Sequence, residues 1–268
     1  MARTASAYPG VRHVSSRRAL FFVIALFLAS VAIAQAQAPG GKPGVVETLV
    51  RWTPLLFHGF LFNLAISVLS MAIGTGAGIV LGILQISRAQ PVSASAYWFM
   101  QVFRNAPWLV LMFFVMFLTP FEFRTPLGTV PFPDWMKAVI GLALPVMANV
   151  SEIVRGGIVS LPFTQWEAAH SLGFDHVQTL RLIILPQAVK RMLPPWMNLY
   201  AILTQSTTLA SILGVTEVLT ITRNILGSEG RTELLMPFYG YILVWFFLYC
   251  FPIAAYTKRL ERRFAVAS

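Results

Sequence analysis

Six long apolar stretches constrain what this sequence can fold into. They cover approximately residues 19–38, 55–86, 96–119, 136–159, 196–220 and 236–257. A helix needs about 20 consecutive apolar residues to cross the ~30 Å hydrocarbon core of a bilayer. Inside lipid, only helices and closed barrels satisfy the backbone, and apolar stretches of this length are typical of helices. The sequence therefore predicts an all-α integral membrane protein with about six spans.

Composition and charge support this class of protein. The chain is 57% hydrophobic and only 11% charged, with 21 Phe in 268 residues, more apolar surface than one soluble core requires. The net charge of +10 comes largely from basic residues near the two ends, namely Arg3, Arg12, Arg17, Arg18, Lys258, Arg259, Arg262 and Arg263. Neither end interleaves them with aromatic residues that would stack on bases, so we expect no nucleic-acid partner. The basic residues instead indicate topology, since Lys and Arg remain on the cytoplasmic side.

The first 38 residues have two interpretations. Arg17 and Arg18, the apolar run that follows, and Ala-Gln-Ala-Gln-Ala at 34–38 form the three parts of a secretory signal peptide. The same stretch equally suits an uncleaved transmembrane helix. In both cases the chain enters the second span from outside, and residues 39–54 form a periplasmic linker.

Counting crossings from that linker orients the remaining loops. Residues 120–135 and 222–235 fall outside, whereas the loop 160–195 and the basic tail 259–268 fall inside. The inside segments also carry Arg88, Arg181, Lys190 and Arg191, which agrees with the bias of basic residues toward the cytoplasm. A polar loop of 36 residues is therefore predicted on the cytoplasmic side.

Small residues recur along one face of the second span. Gly74, Gly78 and Gly82 are spaced by four residues, which places them on the same side of a helix. Such stripes allow two helix backbones to approach closely within a membrane. The stripe predicts a helix-packing face, either within this chain or against a second subunit.

The inside loop contains two helix-start patterns separated by a glycine. Thr164 to Glu167 has the spacing of a capping box, and Asp175 to Gln178 repeats it. Gly173 supplies the positive φ that ends a helix tightly. We therefore expect a hairpin (residues 164–185) of two short helices, with Pro186 stopping or kinking the second.

The hairpin could dock either on the lipid headgroups or in a groove of a partner protein, and its side chains favour the groove. It presents apolar residues beside few charges, namely Trp166, Ala168, Ala169, Leu172, Leu180 and Leu182. Helices that lie on lipid headgroups carry many cations on the polar face, whereas here Glu167 and Asp175 offset Arg181. Small residues favour docking in a protein groove.

At this point the residues resemble a known family. Glu167-Ala168-Ala169, Gly173 and Leu185-Pro186 look like the EAA loop of ATP-binding-cassette importer permeases. The resemblance covers about residues 50 to 260. Within this range, five further segments are similar to the polar amino acid subfamily of these permeases. They are Phe103-Arg104-Asn105-Ala106-Pro107, Ser151-Glu152-Ile153-Val154-Arg155-Gly156-Gly157-Ile158, Leu185-Pro186-Gln187-Ala188, Pro194-Pro195 with Asn198, and Thr207-Thr208-Leu209-Ala210-Ser211.

The resemblance implies a type I importer fold whose five-span permease domain occupies residues 55–258, with residues 1–38 as an addition. It implies a cytoplasmic ATPase dimer, a periplasmic solute-binding protein and a second permease subunit, either the same chain or a sister, in a bacterial inner membrane. ATP and Mg would be bound by the ATPase, so no cofactor is expected here. The residues expected to couple to the ATPase are Glu167, Ala168, Ala169, Gly173, Leu185 and Pro186.

Polar residues within the spans are candidates for the solute pathway, because ionisable groups at membrane depth are costly. Glu152 and Arg155 are spaced to pair on one helical face, either to hide two charges or to line a path. Arg104 is either an interfacial residue that snorkels or a pathway cation. The full candidate set is Arg104, Asn149, Glu152, Arg155, Asn198, Gln205 and Thr207. Gln205 and the segment 223–233 resemble acidic amino acid permeases slightly more than basic ones, which favours glutamate or aspartate.

Three alternatives remain open at this stage. A permease for another small solute would share most of these features. A secondary transporter would also use intramembrane charges, but such proteins often have two similar halves, and no repeat is found. A membrane-embedded enzyme would need paired catalytic groups or metal ligands. The four histidines, at 13, 58, 170 and 176, do not have metal-ligand spacing.

Overall fold

The computed structural model describes residues 16–37, 42–125 and 128–264 and is built almost wholly from helices. They are α1 Ser16–Gln37, α2 Val45–Gln85, α3 Gln90–Asn105, α4 Trp108–Leu118, α5 Asp134–Val159, α6 Thr164–Ser171, α7 His176–Gln178, α8 Leu185–Ser206, α9 Val218–Glu229 and α10 Leu235–Phe264. A π-helical segment spans Thr179–Ile184, and 3₁₀ segments span Thr207–Leu213 and Thr232–Leu234. The predicted helical class is confirmed.

Among the residues that the structure describes, four helices are long and apolar enough to cross a membrane, and the number rises to six if each of two bent pairs is one span. The bent pairs correct two spans that were predicted as continuous. Between α3 and α4 the axis turns by 103°, because Pro107 has no N–H and holds Ala106 in an extended conformation (ψ 139°). Between His176–Leu213 and Val218–Glu229 the bend is 50°, at a turn where Gly214 has φ 82°.

Helix α2 is the longest element and begins ten residues before the predicted span. Residues 45–54, predicted as linker, are its first turns. Hydropathy alone missed them because Glu47, Arg51 and Thr53 interrupt the apolar residues at this end. Arg51 pairs with Glu229, and the Trp52 indole donates to the same carboxylate at 2.8 Å.

The glycine stripe of α2 packs within the chain, which decides between its two predicted partners. A Cβ at Gly74 would lie 2.5 Å from Val146, and one at Gly78 would lie 2.7 Å from Val150. At Gly82 the nearest atom would be the carbonyl oxygen of Ser151, at 2.7 Å. Helices α2 and α5 therefore form one tightly packed unit, as the packing prediction required.

Helix α1 packs against α10 and the start of α2. Phe27 stacks on Tyr241 with ring centroids 5.8 Å apart, and Ala34 is buried. The Gln35 side chain accepts a hydrogen bond from the Val45 amide at 2.9 Å. Removal of residues 1–38 stays a prediction, and residues 1–15 and 38–41 lie outside the described residues.

One short β-hairpin departs from the all-helical expectation. Strand β1 (Glu122–Thr125) pairs antiparallel with β2 (Gly128–Pro131), with Glu122 opposite Pro131. It lies in the loop predicted outside, between α4 and α5. Near its base, the ammonium group of Lys137 sits 3.6 Å from the centroid of the Phe121 ring.

Candidate coupling hairpin and membrane polar groups

The turn of the hairpin is closed by Gly173, as predicted. Its φ of 82° lies in the left-handed region, where a side chain would be strained. The Gly173 amide donates to His170 at 3.0 Å, and the Phe174 amide donates to Ala169 at 3.1 Å. These bonds satisfy carbonyls at the end of α6, so the chain reverses within a few residues.

Only the second predicted capping box forms. The Asp175 carboxylate accepts from the Gln178 amide at 2.8 Å, and the Gln178 side chain accepts from the Asp175 amide at 3.0 Å. The box predicted at Thr164 and Glu167 is wrong. Helical turns already begin at Pro162, and the Glu167 amide donates to the Phe163 carbonyl at 3.2 Å. Thr164 therefore lies inside the first turn rather than before it.

Pro186 does not stop the second helix, so the first of its two predicted effects, a stop rather than a kink, is wrong. The backbone passes through the π-helical segment Thr179–Ile184 directly into α8. Pro186 falls in the first turn after this change of hydrogen-bonding pattern, where a missing N–H is tolerated. The hairpin is thus continuous in helical backbone with α8.

The expected coupling residues differ in exposure. Glu167, Ala168, Gly173 and Pro186 are exposed, Leu185 is half-buried and Ala169 is buried. The Trp166 ring is turned inward and stacks on His176 with centroids 4.9 Å apart. The apolar surface left open consists of Phe163, Leu172, Val177 and Leu182, the second of which is 77% exposed. Exposed apolar side chains grouped in this way are typical of an interaction surface.

Two contacts brace the hairpin, and a third joins the end of α5 to α8. Arg88, in the loop after α2, approaches His176 Nδ1 at 3.2 Å. Gln165 and Gln187 exchange hydrogen bonds at 3.0 and 3.1 Å, and Arg191 donates to the Ser160 carbonyl at 2.7 Å. Burial, and then the Arg88 charge, lower the pKa of His176, which favours the neutral ring that accepts from Arg88.

Four of the seven pathway candidates lie on α3 and α5. The predicted pair is confirmed, since Arg155 donates to Glu152 at 2.5 and 3.1 Å. Arg104 is exposed and interacts electrostatically with Glu152. Asn149 is half-buried and donates to the Pro145 carbonyl at 2.7 Å, one turn away on the same helix.

The other three candidates lie in a second place, on α8 and the 3₁₀ segment that follows it. Asn198 and Gln205 line a cavity of about 630 Å³ between α8 and α10. Thr207 is fully buried and donates to the Thr204 carbonyl at 2.7 Å. The role of all seven residues in transport stays a prediction.

Sequence reasoning missed the most deeply buried acidic residue. Glu217 is 0% exposed and accepts from the Asn63 amide group at 3.0 Å. It lies within the predicted span 196–220, so the rule that singled out Glu152 would also have found it. Within the described ranges 16–37, 42–125 and 128–264, no three His, Cys, Asp or Glu side chains lie close enough to hold a metal ion.

Comparison with known proteins gives consistent matches. Residues 74–266 match the family model described as "Binding-protein-dependent transport system inner membrane component". The chain is 30% identical to the L-cystine transport system permease protein TcyB of Bacillus subtilis (strain 168), over 78% of this chain and 86% of that protein. It is 29% identical to the glutamate/aspartate import permease protein GltK of Escherichia coli O6:H1, over 80% of this chain and 96% of that protein.

A solved structure has the same fold. The crystal structure of an amino acid ABC transporter with histidines superposes with a TM-score of 0.67 at 26% sequence identity. The superposition covers 80% of this chain and 96% of that one. The overall fold described above therefore occurs in a solved transporter.

Proposed function

Because the chain belongs to the family of binding-protein-dependent transport system inner membrane components, we propose that it moves polar amino acids across the inner membrane of a bacterium, as the permease subunit of an importer. It is a multi-pass membrane protein and a transport component, and ATPase activity belongs to a partner subunit. The observation that carries the proposal is the family match over residues 74–266, which includes the hairpin and the spans on both sides.

The exposed face of the hairpin supports an ATPase dimer as the partner on the inner side. Phe163, Leu172 and Leu182 are more than half exposed, next to the exposed carboxylate of Glu167. A helix that docks in a protein groove uses such apolar anchors, and a nearby charge sets its orientation. ATP and Mg would be held by that ATPase, outside this chain. A periplasmic solute-binding protein and a second permease subunit would complete the assembly.

In the proposed mechanism, closure of the ATPase dimer displaces the hairpin and α8 together. The contacts of His176 with Arg88 and of Gln165 with Gln187 hold the hairpin to the loop after α2 and to α8, so the hairpin moves as a rigid element. The spans then rock between states open to the inside and to the outside. Glu167 would hold the ATPase contact, and Gly173 would maintain the shape of the turn.

Glutamate or aspartate is the solute that we favour within the class. Gln205 and the outer segment 223–233 support this choice by resemblance, and one relative is a glutamate/aspartate permease. Another relative is a cystine permease, so the named substrates of the relatives extend beyond acidic amino acids. Arg104, Glu152 and Arg155 offer both charges to a zwitterion, and Gln205 offers a donor and an acceptor.

The test is ATP hydrolysis stimulated by the binding protein in proteoliposomes that contain the complete importer. L-Glutamate, L-aspartate, L-glutamine, L-cystine, L-arginine, a sugar and a dipeptide are compared as solutes. We expect the acidic amino acids to give the largest stimulation. Stimulation by the sugar or the dipeptide alone would overturn the amino acid assignment, and stimulation by L-cystine or L-arginine alone would overturn only the choice of acidic solutes.

A further inference from the structure

The outer end of the fifth span contains a break that is held by buried polar side chains. After the 3₁₀ segment Thr207–Leu213, Gly214 turns the chain with φ 82°, and α9 begins at Val218. The Val215 amide returns to the Ala210 carbonyl at 3.2 Å, which closes the turn. The axis bends by 50° between the two helical pieces.

Glu217 caps the helix that follows this break. Its carboxylate accepts from the Thr220 amide at 2.8 Å and from the Asn63 side chain at 3.0 Å. The Thr220 hydroxyl lies 3.3 Å away. The Thr220 and Asn63 amide groups donate to the carboxylate, whereas the Thr220 hydroxyl donates mainly to the Val215 carbonyl at 2.8 Å. The N-terminus of α9 adds the positive end of a helix dipole.

Asn63 of α2 connects the two sides of the break. Its amide nitrogen donates to Thr207 on one side and to Glu217 on the other, both at 3.0 Å. Its oxygen accepts from the Val218 amide at 3.1 Å. Asn63, Thr207 and Glu217 are each 0% exposed. One turn earlier on α2, Gly59 brings the backbones of α2 and α9 together, since a Cβ there would lie 3.0 Å from Val218 Cα.

A carboxylate is an expensive choice for this helix cap. Ser, Thr or Asn would satisfy the same amide without placing an ionisable group at membrane depth. A buried carboxylate without a cation depends on every donor around it, so the network tolerates only one arrangement. An ionisable residue at membrane depth is therefore a candidate for a functional role.

We propose that Glu217 is a positioning residue for transport, which together with Asn63 fastens both sides of the break to α2. A displacement that enters through the hairpin and α8 then reaches α9 undiminished, instead of being absorbed by bending at Gly214. This inference rests on the proposed function, because it assumes that the hairpin delivers the motion. In this role Glu217 helps to transmit motion to the outer end of the span and does not contact the solute.

Glu217→Gln is the main test because it keeps the shape of the side chain and changes one acceptor into a donor. The new amide group would face the amide group of Asn63. Rotating Asn63 does not help, since its nitrogen would then face the Val218 N–H. In the double variant Asn63→Asp with Glu217→Gln, an acceptor again meets a donor, and the carboxylate introduced on α2 still accepts from the Val218 N–H. Glu47→Gln, at an exposed position in the first turn of α2, is the matched control.

Each variant is purified as the complete importer and reconstituted in proteoliposomes, and uptake is measured per ATP hydrolysed and per folded complex. We expect Glu217→Gln to lower this ratio by about tenfold, the scale of one lost hydrogen bond to a buried charge. Basal ATP hydrolysis should remain within about twofold of the wild type, since the hairpin is unchanged. The double variant should recover most of the ratio.

Two results would overturn the proposal. One is an unchanged ratio in Glu217→Gln, and the other is a loss of uptake that only follows the amount of folded complex. If Glu217→Gln does not assemble, Thr207→Val applies the same test from the other side of the break, and a normal ratio there would also overturn it. Failure of the proposed function is a separate result, because then no amino acid stimulates the wild type, and the variants are compared with the solute that does.

Discussion

Two glycines with the same backbone angle flank the long helical element of this chain, yet their surroundings are opposite. Gly173 and Gly214 both have φ 82°, the first before His176 and the second after Leu213. Around Gly173 the apolar side chains of Leu172 and Val177 are 77% and 69% exposed. Beyond Gly214, Glu217 and Val218 are completely buried.

The difference shows that the same turn chemistry serves two purposes. At the inner turn, backbone hydrogen bonds close the turn and leave the apolar side chains exposed. Burial of these side chains can therefore stabilise a complex with a partner. At the outer turn, the Asn63 side chain of α2 and the Thr220 amide satisfy both carboxylate oxygens of Glu217, so this buried group has its partners within the chain. The inner turn should therefore tolerate changes that affect only its surface, and the outer turn should not.

The largest expected effect is a volume change at the outer turn. In Gly59→Leu the new side chain would overlap Ile221, whose Cδ1 would lie 2.7 Å from the Cβ. Overpacking of this kind costs about 1–3 kcal/mol or more. We expect a large loss of folded complex and a lower Tm, measured by size-exclusion chromatography and thermal unfolding in detergent.

Gly76→Leu provides the control for this prediction. It lies on the same helix, and a Cβ there meets no atom within 4 Å in the described chain. The yield and Tm of this variant should be close to those of the wild type. Equal losses in both variants would show that α2 tolerates no leucine at a glycine position, and the comparison between the turns would fail.

The next effect in size is expected at the inner turn itself. In Gly173→Val a β-branched residue would be forced to a positive φ, at a cost of about 1–2 kcal/mol. Because the cost falls on the hairpin rather than on the membrane core, we expect normal yield with uptake reduced by about tenfold. Uptake by proteoliposomes measures this. Gly173→Asn, which accepts the left-handed region, should retain most activity, and equal loss in both variants would argue that the glycine is needed for space rather than for backbone angle.

The helices and their faces were predictable because they depend on periodicity and length. Gly74, Gly78 and Gly82 were identified from spacing alone, and the structure supplies their partner, α5. The capping box at Asp175 was also predictable, since it needs only residues three apart. The box at Thr164 failed because Phe163 already has helical backbone angles (φ −62°, ψ −27°), a consequence of the preceding turn that residue spacing does not reveal.

The outer break was the part that spacing could not predict. Asn63 and Glu217 lie 154 residues apart in sequence, and neither has a local partner that signals their contact. The mean hydropathy of the stretch 196–220 stays apolar despite Glu217, so the span was predicted to be continuous through Gly214. Long-range polar networks within membranes therefore have to be found from the structure, although a lone acidic residue in a span is a reason to search for one.

A smaller effect separates docking from folding within the hairpin. The Glu167 carboxylate is exposed and has no partner among the described residues, so Glu167→Ala should change the free energy of unfolding by less than about 0.5 kcal/mol. Asp175→Ala removes the cap of α7 and should destabilise the hairpin by about 1 kcal/mol. We expect Glu167→Ala, but not Asp175→Ala, to weaken ATPase association several-fold at equal folded yield. Co-purification with the ATPase and thermal unfolding measure the two effects, and the reverse pattern would place the docking contact at α7.

The smallest effect is a pH dependence of the inner turn. Burial holds the pKa of His176 below its ordinary value of about 6.5, Arg88 and His170 lower it further, and Asp175 opposes them. The unfolded hairpin therefore binds a proton more readily than the folded one. Its stability should be complete above about pH 6.5 and decrease as the pH falls toward the lowered pKa. Hydrogen exchange of amides 164–179, corrected for intrinsic rates, should be faster at about pH 5.5 than at about pH 7.5. His176→Gln should remove this difference because Gln does not titrate and its oxygen still accepts from Arg88, whereas a difference that persists in this variant would contradict the assignment to His176.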